Sequence, residues 1–310
     1  MSIVSRRAFI QGAGAFALAT GGLGSYAFAL EPGFRLIVKP YDIAPPHWPR
    51  RFALKAAVLA DIHACVPWMP ASRVRAIAER TNALAPDIIF LLGDFSGGHS
   101  RFTEPVMPEE WGEALSILRA PLGVYSILGN HDWRHGVLPH VPSDDAQGVR
   151  RALVNAGITV LENDAVRLQK EGQPFWVAGL GDQLSGPRAS GLYRGCDDLP
   201  GTLARITDRA PVILLAHEPQ IFRRVPDRVS LTLAGHMHGG QVVLPLIGSP
   251  LSHPRFGLGY TDLLYGHIVE NERHLIISGG LGTSHVPIRF LQPPEIVEVN
   301  IGPATSRPLA

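Results

Sequence analysis

Cysteine is nearly absent. Cys65 and Cys196 are the whole complement of a 310-residue chain. They allow one disulfide at most, which excludes a disulfide-stapled scaffold, and no CxxC pair offers a thiolate zinc site. A surplus of charge is missing too: 28 Lys and Arg against 27 Asp and Glu leave a net charge of +1. No basic field marks the chain as a nucleic-acid binder, and electrostatics names no partner. Internal repeats and low-complexity tracts are lacking as well. With 45% hydrophobic and 18% charged residues the composition is globular, with no sign of disorder. The length allows one large α/β domain or two small ones. Glycine (33) and proline (27) are plentiful, as expected of short elements joined by tight turns.

Two stretches carry no Asp, Glu, Lys or Arg. The first runs from Ala8 through Leu30, is rich in Ala and Gly, and follows the pair Arg6-Arg7. "SRRAFI" resembles the consensus of twin-arginine (Tat) export signals, and Ala27-Phe28-Ala29 is an A-x-A cleavage pattern. Residues 1–29 therefore read as a signal peptide or, alternatively, an uncleaved N-terminal anchor. Either reading expects the twin-arginine export machinery as a partner, possible membrane or envelope association, and a body in the periplasm or on the outer face of the inner membrane. The second stretch, Val229 to Pro254, contains histidines, prolines and glycines that argue against a membrane span.

Residues 30–50 are Pro-rich and read as a linker or a first edge strand; 51–301 read as one domain and 302–310 as a tail. "LKAAVLA", "DIIFLLG" and "GVYSILG" have the look of buried strands. Each is followed by a helical pattern: "SRVRAIAERTNALAP" with Ser72 as N-cap, "PEEWGEALSILRA", and "SDDAQGVRRALVNAG" closed by Gly157. This alternation predicts βαβ units. Hairpin-linked strands are expected at "ITVLEND", "VRLQKE" and "FWVAGLGD", then a helix near 199–206 and the strand "VILLA". Short strands follow at "SLTLAG", "QVVLP", "TDLLYGHIVE", "RHLIISGG" and "EIVEVNI". The predicted fold class is α/β (α+β): two mixed β-sheets, the second more antiparallel, forming a sandwich flanked by helices.

The strand ends are polar in a selective way. In order they read "DIH", "GD", "GNHD", "HEP" and "GHMHGG", delivering Asp61, His63, Asp94, Asn130, His131, His217, His236 and His238. Ligand chemistry collects at the carboxyl ends of strands in open α/β sheets. The donors are oxygen and imidazole without thiolate, which suits Mn, Zn or Fe. Each motif alone is weak, and an isolated His is usually structural. The joint order D-x-H, GD, GNHD, H, GHxH is far more specific.

With these motifs the chain resembles the calcineurin-like metallophosphoesterases from about Leu54 to Ile301. "GHMHGGQVVLP" and "GGLGTSHVPIRFLQPPEIVEVNI" are similar to the bacterial YkuE/YaeI-type branch. The resemblance implies two divalent metal ions per chain. Asp61, His63, Asp94 and His238 would hold one; Asp94, Asn130, His217 and His236 the other, with Asp94 bridging. It further implies hydrolysis of phosphodiesters or phosphomonoesters by metal-activated hydroxide, with His131 protonating the leaving oxygen or stabilising the charge there. Asp61–His63 and His236–His238 are read as alternating across extended strand ends, each pair pointing one way, with Gly235 and Gly239 letting the backbone turn closely. Where the protein-phosphatase branch has an acid after GD, this chain reads "GDFSGGHS", so the partner of His131 is open, with Asp132 a candidate for that role or for a helix cap.

Hydrolysis of a phospholipid or a sugar-nucleotide pyrophosphate is the nearest alternative, since "VVLPLIGSPL" could meet acyl chains. A metal-binding envelope protein without turnover is the alternative from another class; the presence of His131 argues against it. A metallo-β-lactamase-type enzyme is disfavoured because HxHxDH is absent. Cys65, just after the first motif, reads as a small buried hydrophobe, with support of the neighbouring donors the lesser alternative. His99, His135, His253 and His285 read as structural or exposed, with substrate contact the lesser alternative. Arg289 reads as a phosphate contact or a surface ion pair.

Overall fold

The strands form because short runs of Val, Ile, Leu and Ala can be buried on both faces. "LKAAVL" gives β2 (Leu54–Leu59), "IIFLL" gives β3 (Ile88–Leu92) and "VYSI" gives β4 (Val124–Ile127). The computed structural model describes residues 21–46, 48–97, 102–133, 146–185, 188–189, 192–193, 195–252 and 262–302.

The first sheet has six strands. The Pro-rich segment supplies its edge, β1 (Ile37–Ile43), and Thr159–Val160 (β5) its opposite edge. The second sheet contains β6 (Asp164–Lys170), β7 (Gln173–Gly179), β8 (Val212–Leu215), β9 (Leu231–Ala234), β10 (Gly266–Glu270) and β11 (Arg273–Ile277). The closing strand β12 (Glu295–Ile301) belongs to the first sheet. The orders are β1-β12-β2-β3-β4-β5 and β10-β11-β9-β8-β7-β6. Strands β2 to β5 run parallel, and β12 meets β2 antiparallel and β1 parallel. In the second sheet β7, β8, β9 and β11 are parallel, with antiparallel β6 and β10 at the edges. Both sheets are mixed, as expected.

Side chains alternate along each strand. On β3, Ile89 and Leu91 pack toward helices α1 (Ala71–Ala83), α2 (Pro108–Leu115) and α3 (Gln147–Asn155). Phe90 and Leu92 point the other way, into the layer between the sheets, where they meet Phe175, Val177, Ile213 and Leu233. The outer face of the second sheet is covered by helix α4 (Leu199–Ala204) and the Pro219–Arg224 turn, which bury Leu199, Ile221 and Phe222. The result is four layers, helix–sheet–sheet–helix.

Several local expectations shift. Helix α1 starts at Ala71 behind Pro70, so Ser72 is an exposed first-turn residue and not the N-cap. Helix α3 does end at Gly157 (φ +78°): Gly157 N–H donates to Val154 O and Ile158 N–H to Leu153 O, the paired bonds of a Schellman motif. "ITVLEND" does not form a hairpin with the next strand; β5 pairs parallel with β4, because its apolar residues complete the first sheet. "QVVLP" is no ladder strand but a single bridge, Val242 to Phe290. "EIVEVNI" returns to the first sheet, because its residues are buried on both faces, a demand that a central position meets.

Candidate metal centre

The carboxyl ends of β2, β3, β4, β8 and β9 converge, and every residue singled out at a strand end lies there. Oxygen or nitrogen atoms of Asp61, His63 and His238 fall within 4.8 Å of one another, and so do those of Asp94, His217 and His236. Asp94 stands between the groups: its Oδ2 is 3.4 Å from His63 Nε2 and 3.2 Å from His217 Nε2. Asn130 Oδ1 joins the second group, 3.0 Å from His236 Nδ1.

The backbone geometry differs from the extended reading. Asp61 (φ 53°), His63 (φ 44°), Asp94 (φ 56°), His236 (φ 68°) and His238 (φ 51°) are all left-handed. Strand β2 ends at Leu59, and the bends turn each donor into the cleft while Ile62 stays in the helix-side core. Asp and His tolerate this region better than most residues, yet each such position costs about 1–3 kcal/mol and must be held by its surroundings. Main-chain bonds do this: Asp61 N–H to Gly93 O (3.1 Å), His63 N–H to Asp94 O (2.9 Å) and Gly282 N–H to Asp61 O (2.7 Å). Glycine is required where loops touch the donors. A Cβ on Gly129 would lie 2.4 Å from Asp94 Oδ1, and one on Gly235 2.7 Å from Asp61 Oδ2.

The donor set fits a cation. His217 Nδ1 lies 2.6 Å from the Leu92 carbonyl, which places a proton on Nδ1. Its Nε2 faces Asp94 Oδ2 at 3.2 Å, and a positive charge belongs between them: a proton on Nε2 in the ion-free site, which a divalent cation would replace. Burial favours neutral His217, but Asp94 more than offsets this and raises its pKa well above the ordinary value. Burial likewise works against ionised Asp94, yet His217, His131 and His63 together hold its carboxyl well below the usual range. Burial pushes Asp61 up to about 7, with Asp94 adding to the rise and His217 opposing it. A cation beside Asp61 would reverse that rise. For His238, burial and then the Arg289 guanidinium keep the imidazole neutral, the form that ligates.

His131 sits beside these groups, 9% exposed, its ring 4.9 Å from that of His63. Its main-chain N–H donates to Asp94 Oδ1 at 2.8 Å. Asp132 does not orient it. The Asp132 carboxylate accepts main-chain N–H groups from Asp94 (2.8 Å), Phe95 (2.9 Å), Ser96 (3.1 Å) and Gly129 (3.0 Å). It is a clamp between the GD and GN loops, and it is fully buried. Asp132→Ala strands four amides, so the metal-free protein is expected to lose about 3 kcal/mol or more. Its affinity for divalent ions should fall about 10–100-fold. Thermal melting and metal titration check both, and an unchanged melting temperature would refute the clamp.

Ser284 Oγ lies 3.5 Å from His131 Nε2, and exposed His285 places its ring 5.9 Å from the same imidazole. Arg289 is neither a phosphate contact nor a surface ion pair. It is fully buried, donating to the carbonyls of Gly279, Gly282 and Gln292, with Nη2 3.4 Å from His238 Nδ1. Cys65 is buried in the helix-side core, and Cys196 is exposed. His99, His135 and His253 lie outside the described residues. Two buried carboxyls beside His217 went unnoticed in the sequence, Asp182 and Glu218. Burial, then Glu218, pushes the Asp182 pKa up to about 10. Their signals, the acid ending "GLGD" and the acid of "HEP", were visible but indistinct from ordinary turn and cap residues.

Two sheets between helices carry two abutting carboxylate–imidazole groups at the strand ends, a donor set suited to a pair of metal ions. The chain belongs to the calcineurin-like phosphoesterase family, whose description matches residues 54–271. It is 32% identical to the uncharacterised metallophosphoesterase YkuE of Bacillus subtilis (strain 168), over 96% of this chain and 97% of that protein. It is 31% identical to an uncharacterised metallophosphoesterase of Aquifex aeolicus (strain VF5), over 90% of this chain and 96% of the relative. It is 27% identical to the phosphodiesterase YaeI of Escherichia coli (strain K12), over 91% and 93%. The family is that of dinuclear metal-dependent phosphoesterases, and the chain is a metallophosphoesterase.

Proposed function

We propose that the chain hydrolyses phosphodiesters or phosphomonoesters at a two-ion centre. Asp61, His63, Asp94 and His238 hold one ion, and Asp94, Asn130, His217 and His236 the other. The observation that carries this reading is the Asp94 carboxylate, whose Oδ2 lies within 3.4 Å of an imidazole of each group. When bound, the ions lower the pKa of water toward neutrality and take up charge on the non-bridging phosphate oxygens. Two carboxylates cannot neutralise two divalent ions, so the centre stays positive and favours an anionic ester over a neutral one. His131, fixed through its main-chain N–H to Asp94, offers its ring beside His63 to protonate the leaving oxygen. The phosphodiesterase description of the Escherichia coli relative supports a diester as the first substrate to test. The oxygen and imidazole donors support Mn, Zn or Fe. The "SRRAFI" sequence supports export through the twin-arginine machinery and work in the periplasm or on the outer face of the inner membrane.

Chelator-stripped protein is expected to be inactive toward bis(p-nitrophenyl) phosphate and to recover with about two equivalents of Mn, Zn or Fe. Turnover that survives full metal removal, or no turnover of mono- and diesters with any of these ions, would reject the reading.

A further inference from the structure

The segment carrying the A-x-A pattern is part of the fold. Residues 21–34 are helical, with Ala27, Phe28 and Ala29 inside the turn Tyr26–Leu30. The Ala27 carbonyl accepts the Arg289 N–H at 3.0 Å, and the Phe28 carbonyl accepts the Trp68 indole N–H. The Glu31 carboxylate, fully buried, accepts the Leu291 N–H at 2.9 Å. The Tyr26 ring meets Phe290 edge-on at 6.0 Å. The strip from Val286 to Leu291 thus carries the helix on one side. On the other, the Arg289 guanidinium holds the Gly279 and Gly282 carbonyls under His238. Processing enzymes cut exposed, flexible chain, whereas this site is helical and tied down by three hydrogen bonds across and beside it.

The same strip joins the two charge-free stretches of the sequence. Ala8–Leu30 reaches it through Ala27, and Val229–Pro254 through Val243, whose N–H donates to Phe290 O at 2.8 Å. Large apolar side chains stand exposed on these linked segments: Leu23, Phe28 and Leu30 on the helix, Val286 and Leu291 on the strip, and Leu246 and Ile247 at the turn beyond Val243. An apolar band of this kind, continuous with a run lacking any formal charge, fits a lipid surface. Among the described residues no helix is long and apolar enough to cross a membrane.

We propose that residues Tyr26–Phe34 remain on the domain in the mature protein, and that the uncharged run leading into them fastens it to a bilayer, the band beside the metal centre facing the lipid. Combined with the phosphoesterase reading, on which this part rests, the favoured substrate is a phosphate ester at a membrane surface.

The test uses the full chain made in an export-competent bacterial host. The intact mass is expected to include the residues before Ala29, and the protein to stay with membranes after alkaline carbonate washing. A Phe16→Glu/Leu18→Glu variant should lower the membrane-bound fraction about 10-fold or more. Its hydrolysis of a soluble chromogenic diester, per metal-loaded chain, should be unchanged. In the detergent-solubilised full chain the amides of Arg289 and Leu291 should resist hydrogen exchange. A mass ending the leader at Ala29, release by carbonate, or rapid exchange at both amides would overturn the proposal. Membrane retention with no diester hydrolysis would uphold the anchor and count against the phosphoesterase reading alone.

Discussion

Asp94→Ala is expected to lose bound metal and turnover together. Three features of the site converge on this carboxylate: His63 and His217 flank Oδ2, and the His131 main-chain N–H donates to Oδ1. Alanine removes the anion from between the two groups, leaving their imidazoles with the one carboxylate of Asp61. Elemental analysis should show the ion content falling from about two per chain to below one, and kcat/KM for a chromogenic diester should drop by about 1,000-fold or more. A variant that kept both ions would mean that the groups bind independently, and the bridging assignment would be wrong. The substitution should leave the fold standing, because Phe90 and Leu92 on β3 keep their packing between the sheets.

His131→Gln is expected to separate binding from chemistry. The ring belongs to neither of the two donor groups, so ion content should hold near that of the parent protein. Losing a positioned acid should lower kcat by about 100- to 10,000-fold, with KM changed far less. The effect should shrink for esters of acidic phenols, whose leaving oxygen needs no proton, and grow for alkyl esters. Full activity on alkyl esters would reject the acid assignment. Glutamine is the better probe than alanine here, since it fills space between His63 and His285.

The donors could be read in the sequence because each follows a short apolar run, and a strand end is where a parallel sheet presents chemistry. Their conformation could not. Spacing D-x-H and H-x-H suits an extended chain as well as two left-handed bends, and only the loops packed over Gly129 and Gly235 decide between them. The same limit applies to Asp132, whose neighbour His131 suggested a side-chain partnership. Three of its four partners are amides of residues 94 to 96, some 36 to 38 positions away. For Arg289, a lone cation in a polar loop reads as a surface group, and nothing local reveals the three carbonyls that enclose it. The hairpin expected of β5 failed for a related reason, since burial pattern tells that a strand is covered but not by which layer.

The insertion of β12 between β1 and β2 sets an order of events for biosynthesis. The edge pair cannot close until residue 301 has left the ribosome, since a strand drawn from the end of the domain separates two from its beginning. The Gly279–Gln292 wall beneath His238 is tethered to that same late strand through Gly280 and Glu295. Ion capture should therefore wait until residues 279–301 have emerged, and a ribosome-stalled product ending before residue 295 should bind divalent ions weakly.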